Sequence, residues 1–207
     1  MKKLMVLVLG LGMCYLGYRM YASDKVGLKD SISLVEETRM DVLDAKVMEV
    51  EQVIASTAKY RSDLGFFIDM RIPSMQNRFF IYDLKQHKII DRGLVAHGVG
   101  SETGIGGKLQ FSNIENSLSS SLGNYAVGIS YYGQFGKAYK LHGLDATNSN
   151  AFARHIVLHK YAAVPYEEQS SYICNSYGCP MVNERFYSRI EQLLDASEKH
   201  VIMCIYY

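Results

Sequence analysis

A cysteine and a histidine carry the chemistry this chain offers. Cys179 stands in Ser176-Tyr177-Gly178-Cys179-Pro180, about twenty residues after an apolar run ending in histidine, Ile156-Val157-Leu158-His159. A cysteine thiolate attacks a carbonyl, and a neighbouring imidazole takes the thiol proton and returns it to the leaving amine. Gly178 permits a tight turn with few steric limits, so that successive backbone N–H groups converge on the oxygen that becomes negative in the tetrahedral intermediate. Tyr177, Gly178 and Cys179 are therefore oxyanion-hole candidates through their backbone.

Two rival chemistries use the same residue types. His155, His159, Cys174 and Cys179 form a legal tetrahedral zinc set, but Ile156-Val157-Leu158 reads as strand rather than as the helix that puts an H-x-x-x-H pair on one face. No C-x-x-C knuckle is present either. A disulfide between Cys174 and Cys179 would consume the nucleophile and leave His159 without a role. If Cys14 belongs to a removed leader, three cysteines remain, which favours one reactive thiol beside either a bridge or two buried thiols. Cys174 with Cys204 is a conceivable bridge, though spacing alone does not bring their Cβ atoms together. His142, in Leu141-His142-Gly143-Leu144, closes another strand, where it could line a pocket or orient loop backbone. On a continuous strand His155 would share a face with His159. His87, His97 and His200 lie in stretches that suggest no reactive cluster.

The elements that must position these side chains are mostly strands. Short apolar and aromatic runs after Leu64, divided by Gly, Asn, Ser and Lys, predict strands over 66–70, 78–84, 88–97, 125–132, 137–142, 153–159 and 200–207. Together they read as a sandwich or barrel-like assembly of mainly β (α+β) class. The Gly-, Ser- and Asn-rich stretch 101–124 reads as a long loop near the site. Two helices flank the sheet. From about Asp30 to Tyr60, Ile32, Val35, Leu43, Val47, Val50 and Ile54 recur at three- and four-residue steps, an amphipathic pattern. A later helix is expected to start at Asn183, whose side chain can cap it, and to run through Ile190, Leu193 and Leu194.

Composition excludes some functions. Twenty-two basic residues against 21 acidic ones leave a formal charge of +1, and no basic stripe is present to hold a polyphosphate backbone, so nucleic acid is not an expected partner. The 207 residues allow one good-sized domain plus an appendage,. Sixteen tyrosines in the absence of tryptophan fit β-rich structure. At the amino terminus Lys2 and Lys3 precede an apolar run from Leu4 to Leu16, then small residues. That is the pattern of a secretory signal peptide, or of an anchor giving membrane attachment. The expected organisation is a signal or anchor at 1–23, an amphipathic helical segment at 24–62 and a catalytic domain at 63–207.

The run from Phe79 to the carboxyl terminus resembles the catalytic domain of murein L,D-transpeptidases, in the branch with a YkuD-like catalytic domain. The resemblance is carried by ordered blocks over about 130 residues: Phe80-Ile81-Tyr82-Asp83-Leu84, Val95-Ala96-His97-Gly98, Phe111-Ser112-Asn113, Ser120-Ser121-Leu122-Gly123, Tyr131-Tyr132-Gly133, Leu141-His142-Gly143-Leu144-Asp145, and the His159 and Cys179 motifs. It implies Cys179 as nucleophile, His159 as its base and a mainly β L,D-transpeptidase-like sandwich. It also implies peptidoglycan stem peptides as substrate, and a periplasmic or cell-envelope location. His142, Ser176 and Tyr132 become pocket candidates. The family usually has glycine after the catalytic histidine; here Lys160 follows, and its backbone carbonyl can orient the imidazole through Nδ1–H. Tyr177 stands where the better-studied branch has histidine. The chemistry implied needs no cofactor and no metal. An inactive domain that grips peptidoglycan as an envelope scaffold is the alternative, since fold and function separate readily.

Overall fold

The computed structural model describes residues 33–207. The expected signal or anchor at 1–23, with Cys14, and the start of the helical segment lie outside the described residues. Helix α1 covers residues 33–55 and buries Leu43, Val47 and Val50, the middle of the stripe its apolar spacing predicts, whereas Val35 is exposed and Ile54 only partly buried. The chain divides into two compact units between Ala45 and Lys46, a point inside α1. Among the described residues no helix is long and apolar enough to cross a membrane.

Nine strands follow: β1 (Tyr60–Asp69), β2 (Phe79–Asp83), β3 (Lys88–Gly93), β4 (Val95–Ala96), β5 (Gly123–Gly133), β6 (Gly136–Gly143), β7 (Val157–Lys160), β8 (Met181–Val182) and β9 (His200–Tyr206). Helix α2 (Glu184–Asp195) separates β8 from β9, and the Asn183 side chain caps it, accepting from Arg185 N. The architecture is mainly β, as expected. All nine strands belong to one sheet in the order β3-β2-β1-β9-β5-β6-β7-β8-β4. The run expected as a single strand over 88–97 is broken at Leu94, and its halves β3 and β4 are the two edges of that sheet. One residue joins the edges, so the sheet must curl until they meet. Alternating residues of eight strands then share one interior: Phe66 and Ile68, Phe79 and Ile81, Val95, Tyr125, Tyr139 and Leu141, Leu158, Val182, Met203 and Ile205, closed by Phe186, Tyr187 and Ile190 of α2. β1 begins at Tyr60, slightly ahead of the domain boundary expected at 63.

Alternation also places the site. Tyr139, Leu141 and Leu158 face the core, so Lys140, His142, Val157 and His159 take the opposite face of β6 and β7. β7 and β8 run parallel, with His159 opposite Met181. Just before β8 the chain brings Cys179 to the start of β7, where Val157 N–H donates to its Sγ at 3.4 Å, and Cys179 packs against the core cluster that holds Ile156 and Leu158.

Candidate active site

The turn that presents Cys179 is held from below by backbone. Ser176 N–H donates to the His97 carbonyl at 2.8 Å, and Val99 N–H donates to the Ser176 carbonyl at 2.8 Å. Gly178 has φ +116°, and a Cβ there would stand 2.9 Å from the Ser119 carbonyl oxygen and 3.1 Å from Ile156 Cδ1. Only glycine fits both that left-handed backbone and that space. Ser176 is buried, and its Oγ accepts from Gly178 N–H at 3.1 Å. Of the three oxyanion candidates, Gly178 N–H is therefore already engaged. No backbone hydrogen bond among the described residues engages the N–H of Tyr177 or Cys179. The Tyr177 side chain is 78% exposed and leans away into solvent.

Cys179 Sγ accepts from Val157 N–H at 3.4 Å and lies 3.8 Å from the His155 carbonyl. Burial raises its pKa, partly offset by the Val157 N–H and by the positive charge of Arg154. His159 is buried, with Nδ1 3.0 Å from the Lys160 carbonyl oxygen. A carbonyl only accepts, so Nδ1 carries the proton and Nε2 keeps its lone pair. The Lys160 side chain turns away toward Glu184 at 3.8 Å. Burial lowers the His159 pKa, and the bond to Lys160 opposes this. Cys179 thus meets β7 at Val157, two residues before His159, and the two side chains share no hydrogen bond in this structure.

Other residues complete the setting, and sequence reasoning missed them. Phe135, in the turn between β5 and β6, stacks on the His159 ring with centroids 4.6 Å apart and meets Tyr161 edge-on at 5.7 Å. The Gly133 and Gly136 that frame the turn were its only sequence mark. Arg154 donates to the Ser112 carbonyl at 2.8 Å and the Ser119 carbonyl at 2.6 Å. It also reaches Ser121 Oγ and Ser117 Oγ, so it fastens the 101–124 loop under the cysteine turn. His97, set aside on sequence grounds, is buried between two charged groups. Its Nδ1 accepts from Arg78 at 2.9 Å, and its Nε2–H donates to Glu102 at 2.7 Å. Burial pushes the Arg78 guanidinium down to about 9.

The remaining expected site residues fall as follows. His155 is not on β7. It sits at φ +57° after a turn closed by Ile156 N–H to the Ala151 carbonyl at 2.9 Å, the left-handed position that ends such turns and usually takes glycine. It therefore shares no strand face with His159. His142 stacks on Phe152 at 4.9 Å. Tyr132 is 83% exposed; its neighbour Tyr131, one pleat over, lines a cavity of ≈ 380 Å³ with Lys140, Phe152, His155, Ile156 and Val157. Cys174, Cys179 and Cys204 are all free thiols, which corrects the conceivable bridges. Cys174 packs beside Leu94, Ala96, Val164, Ile173 and Met181, whereas Cys204 is buried in β9, opposite Phe67 of β1 and Asn124 of β5. Among the described residues no three His, Cys, Asp or Glu side chains are grouped to hold a metal ion.

The sequence matches the L,D-transpeptidase catalytic domain family over residues 35–206. No curated protein matches it. Among solved structures it is similar to an L,D-transpeptidase from Mycobacterium smegmatis, at 8% identity and TM-score 0.42, covering 70% of this chain and 59% of that one. It is also similar to the helical cell shape determining protein Pgp2 from Campylobacter jejuni, at 12% identity and TM-score 0.44, covering 69% of this chain and 46% of that one. A third is Bd1075 of Bdellovibrio bacteriovorus, at 14% identity and TM-score 0.43, covering 70% and 48%. The chain thus spans about half the length of the structures it matches. At these scores the likeness adds no argument, and the assignment rests on the family match.

Proposed function

The chain belongs to the L,D-transpeptidase catalytic domain family, and on that premise we propose that it is a cysteine-dependent peptidoglycan L,D-transpeptidase. The observation that best supports this reading is the β7–β8 ladder, which brings the Cys179 turn beside Val157 and His159 opposite Met181. His159 Nδ1 is tied to the Lys160 carbonyl, leaving Nε2 free to take a proton. In the reaction, Cys179 turns from Val157 toward His159, and its proton passes to Nε2. The sulfur attacks the carbonyl that joins the third stem residue, a diamino acid, to the terminal D-alanine. The Tyr177 and Cys179 N–H groups stabilise the oxyanion. As the C–N bond breaks, the proton on Nε2 goes to the departing D-alanine amine and a thioester remains. An amine from a second stem then attacks the thioester to form a crosslink, or water releases the acid.

In this reading residues 63–207 are the catalytic domain, 24–62 a helical segment, and 1–23 a signal peptide or membrane anchor that delivers the protein to the periplasm or envelope. One observation favours a second reading, an inactive peptidoglycan-binding scaffold: the thiol is hydrogen-bonded to Val157 rather than to His159. The two readings separate on whether Cys179 gains the mass of an acyl group from a disaccharide-tetrapeptide while D-alanine is released. Binding with neither event supports the scaffold.

A further inference from the structure

We propose that the cavity beside Cys179 reads a carboxylate of the donor, with Lys140 selecting stems whose diamino residue carries a free side-chain carboxylate. The inference rests on Cys179 being the thiol that is acylated.

The cavity adjoins the residues that hold the reacting atom. Its ≈ 380 Å³ are lined by Tyr131, Lys140, Phe152, His155, Ile156 and Val157. Val157 holds Cys179 Sγ at 3.4 Å through its N–H, and the His155 carbonyl lies 3.8 Å from that sulfur. Lys140 pairs with Val157 across β6 and β7, so Val157 links the strand position of Lys140 to the sulfur that its own N–H holds.

Lys140 is framed but has no counter-ion. Its ammonium lies 5.6 Å from the Tyr131 ring centroid and 5.3 Å from that of Phe152. Phe152 is braced from behind by His142. Lys137, three residues earlier, pairs with Glu191 and Asp195, whereas among the described residues no carboxylate pairs with Lys140. Two ring faces and a cation in a concavity suit an aliphatic chain that ends in a carboxylate. A lysine-type side chain ending in a bare ammonium would meet like charge, and an amidated one would lose the ion pair.

The test uses the full chain and three tetrapeptide donors that differ only at the third residue: a diaminodicarboxylic acid, its side-chain amide, and lysine. The initial rate of Cys179 acylation is followed by intact mass. The free-carboxylate donor is expected to react about tenfold faster than either of the others. Lys140→Met should bring the three rates within about twofold, and Lys140→Arg should keep the preference. Equal rates on the wild-type chain, or a preference that survives Lys140→Met, would overturn the proposal. If no donor acylates Cys179, the transpeptidase reading falls. The Kd of each donor for the Cys179→Ala chain then decides the subsite, with the same order expected and equal values refuting it.

Discussion

Burial moves the two reactive groups of the site apart on the pH scale. It raises the Cys179 thiol and lowers the His159 imidazole, so both rest uncharged near neutral pH and the thiolate forms only as the proton leaves. Alkylation of Cys179 by iodoacetamide should accordingly climb about tenfold per pH unit between 6 and 8, without levelling off. A plateau below pH 7 would reveal a preformed thiolate–imidazolium pair and contradict this. Cys179, His159 and the Lys160 carbonyl could be picked out from the sequence because each lies in a recognisable motif. Phe135 could not: it reaches His159 only because the β5–β6 turn folds over the ring, and a pairing across 24 positions leaves no local pattern. The sequence pointed to Tyr132 as the pocket tyrosine, whereas the pleat turns its neighbour Tyr131 to the cavity.

At the scale of elements, the cysteine turn stands on the 101–124 loop, and Arg154 is the tie between the two. Arg154→Met removes donors to two carbonyls and two hydroxyls and should cost about 2–3 kcal/mol. Amide exchange over residues 112–121 should accelerate, while β1 and β9 stay protected. Unchanged protection in that loop would show that Arg154 does not anchor it. The loop's place near the site was readable from its Gly, Ser and Asn content, but its anchor was not, because Arg154 stands in a stretch whose strand-like texture masks a turn. Hydrogen bonds of that turn, not the propensities of Ala153 to His155, decide its backbone, and β7 starts late for that reason. The break at Leu94 was hidden similarly: Lys88 to His97 reads as one strand, and only the pairing of β4 with β8 separates its halves.

For the whole molecule, mainly β character and both helices follow from periodicity, because period-2 and period-3.6 patterns are local. Closure of the sheet is not local. It depends on which strands β3 and β4 find, and neither partner is marked in their own residues. The closed fold buries His97 and His159, both with pKa values lowered by burial, and Arg78 lowers His97 further. An unfolded histidine titrates near 6.5 and takes up a proton before its folded counterpart does. Stability is therefore full above that pH and falls as pH drops through it toward the folded values, by up to about 1.4 kcal/mol per pH unit for each histidine. Urea midpoints should decline from pH 7.5 to pH 5.5, and a flat profile would mean that these histidines are not held neutral. The central claim, that Cys179 is the nucleophile of an acyl transfer, is tested most directly by mass. Incubation with a disaccharide-tetrapeptide donor should add the mass of the donor minus D-alanine, mapped to the peptide bearing Cys179 and absent from Cys179→Ala. Bound donor with no adduct on Cys179 and no released D-alanine would contradict it.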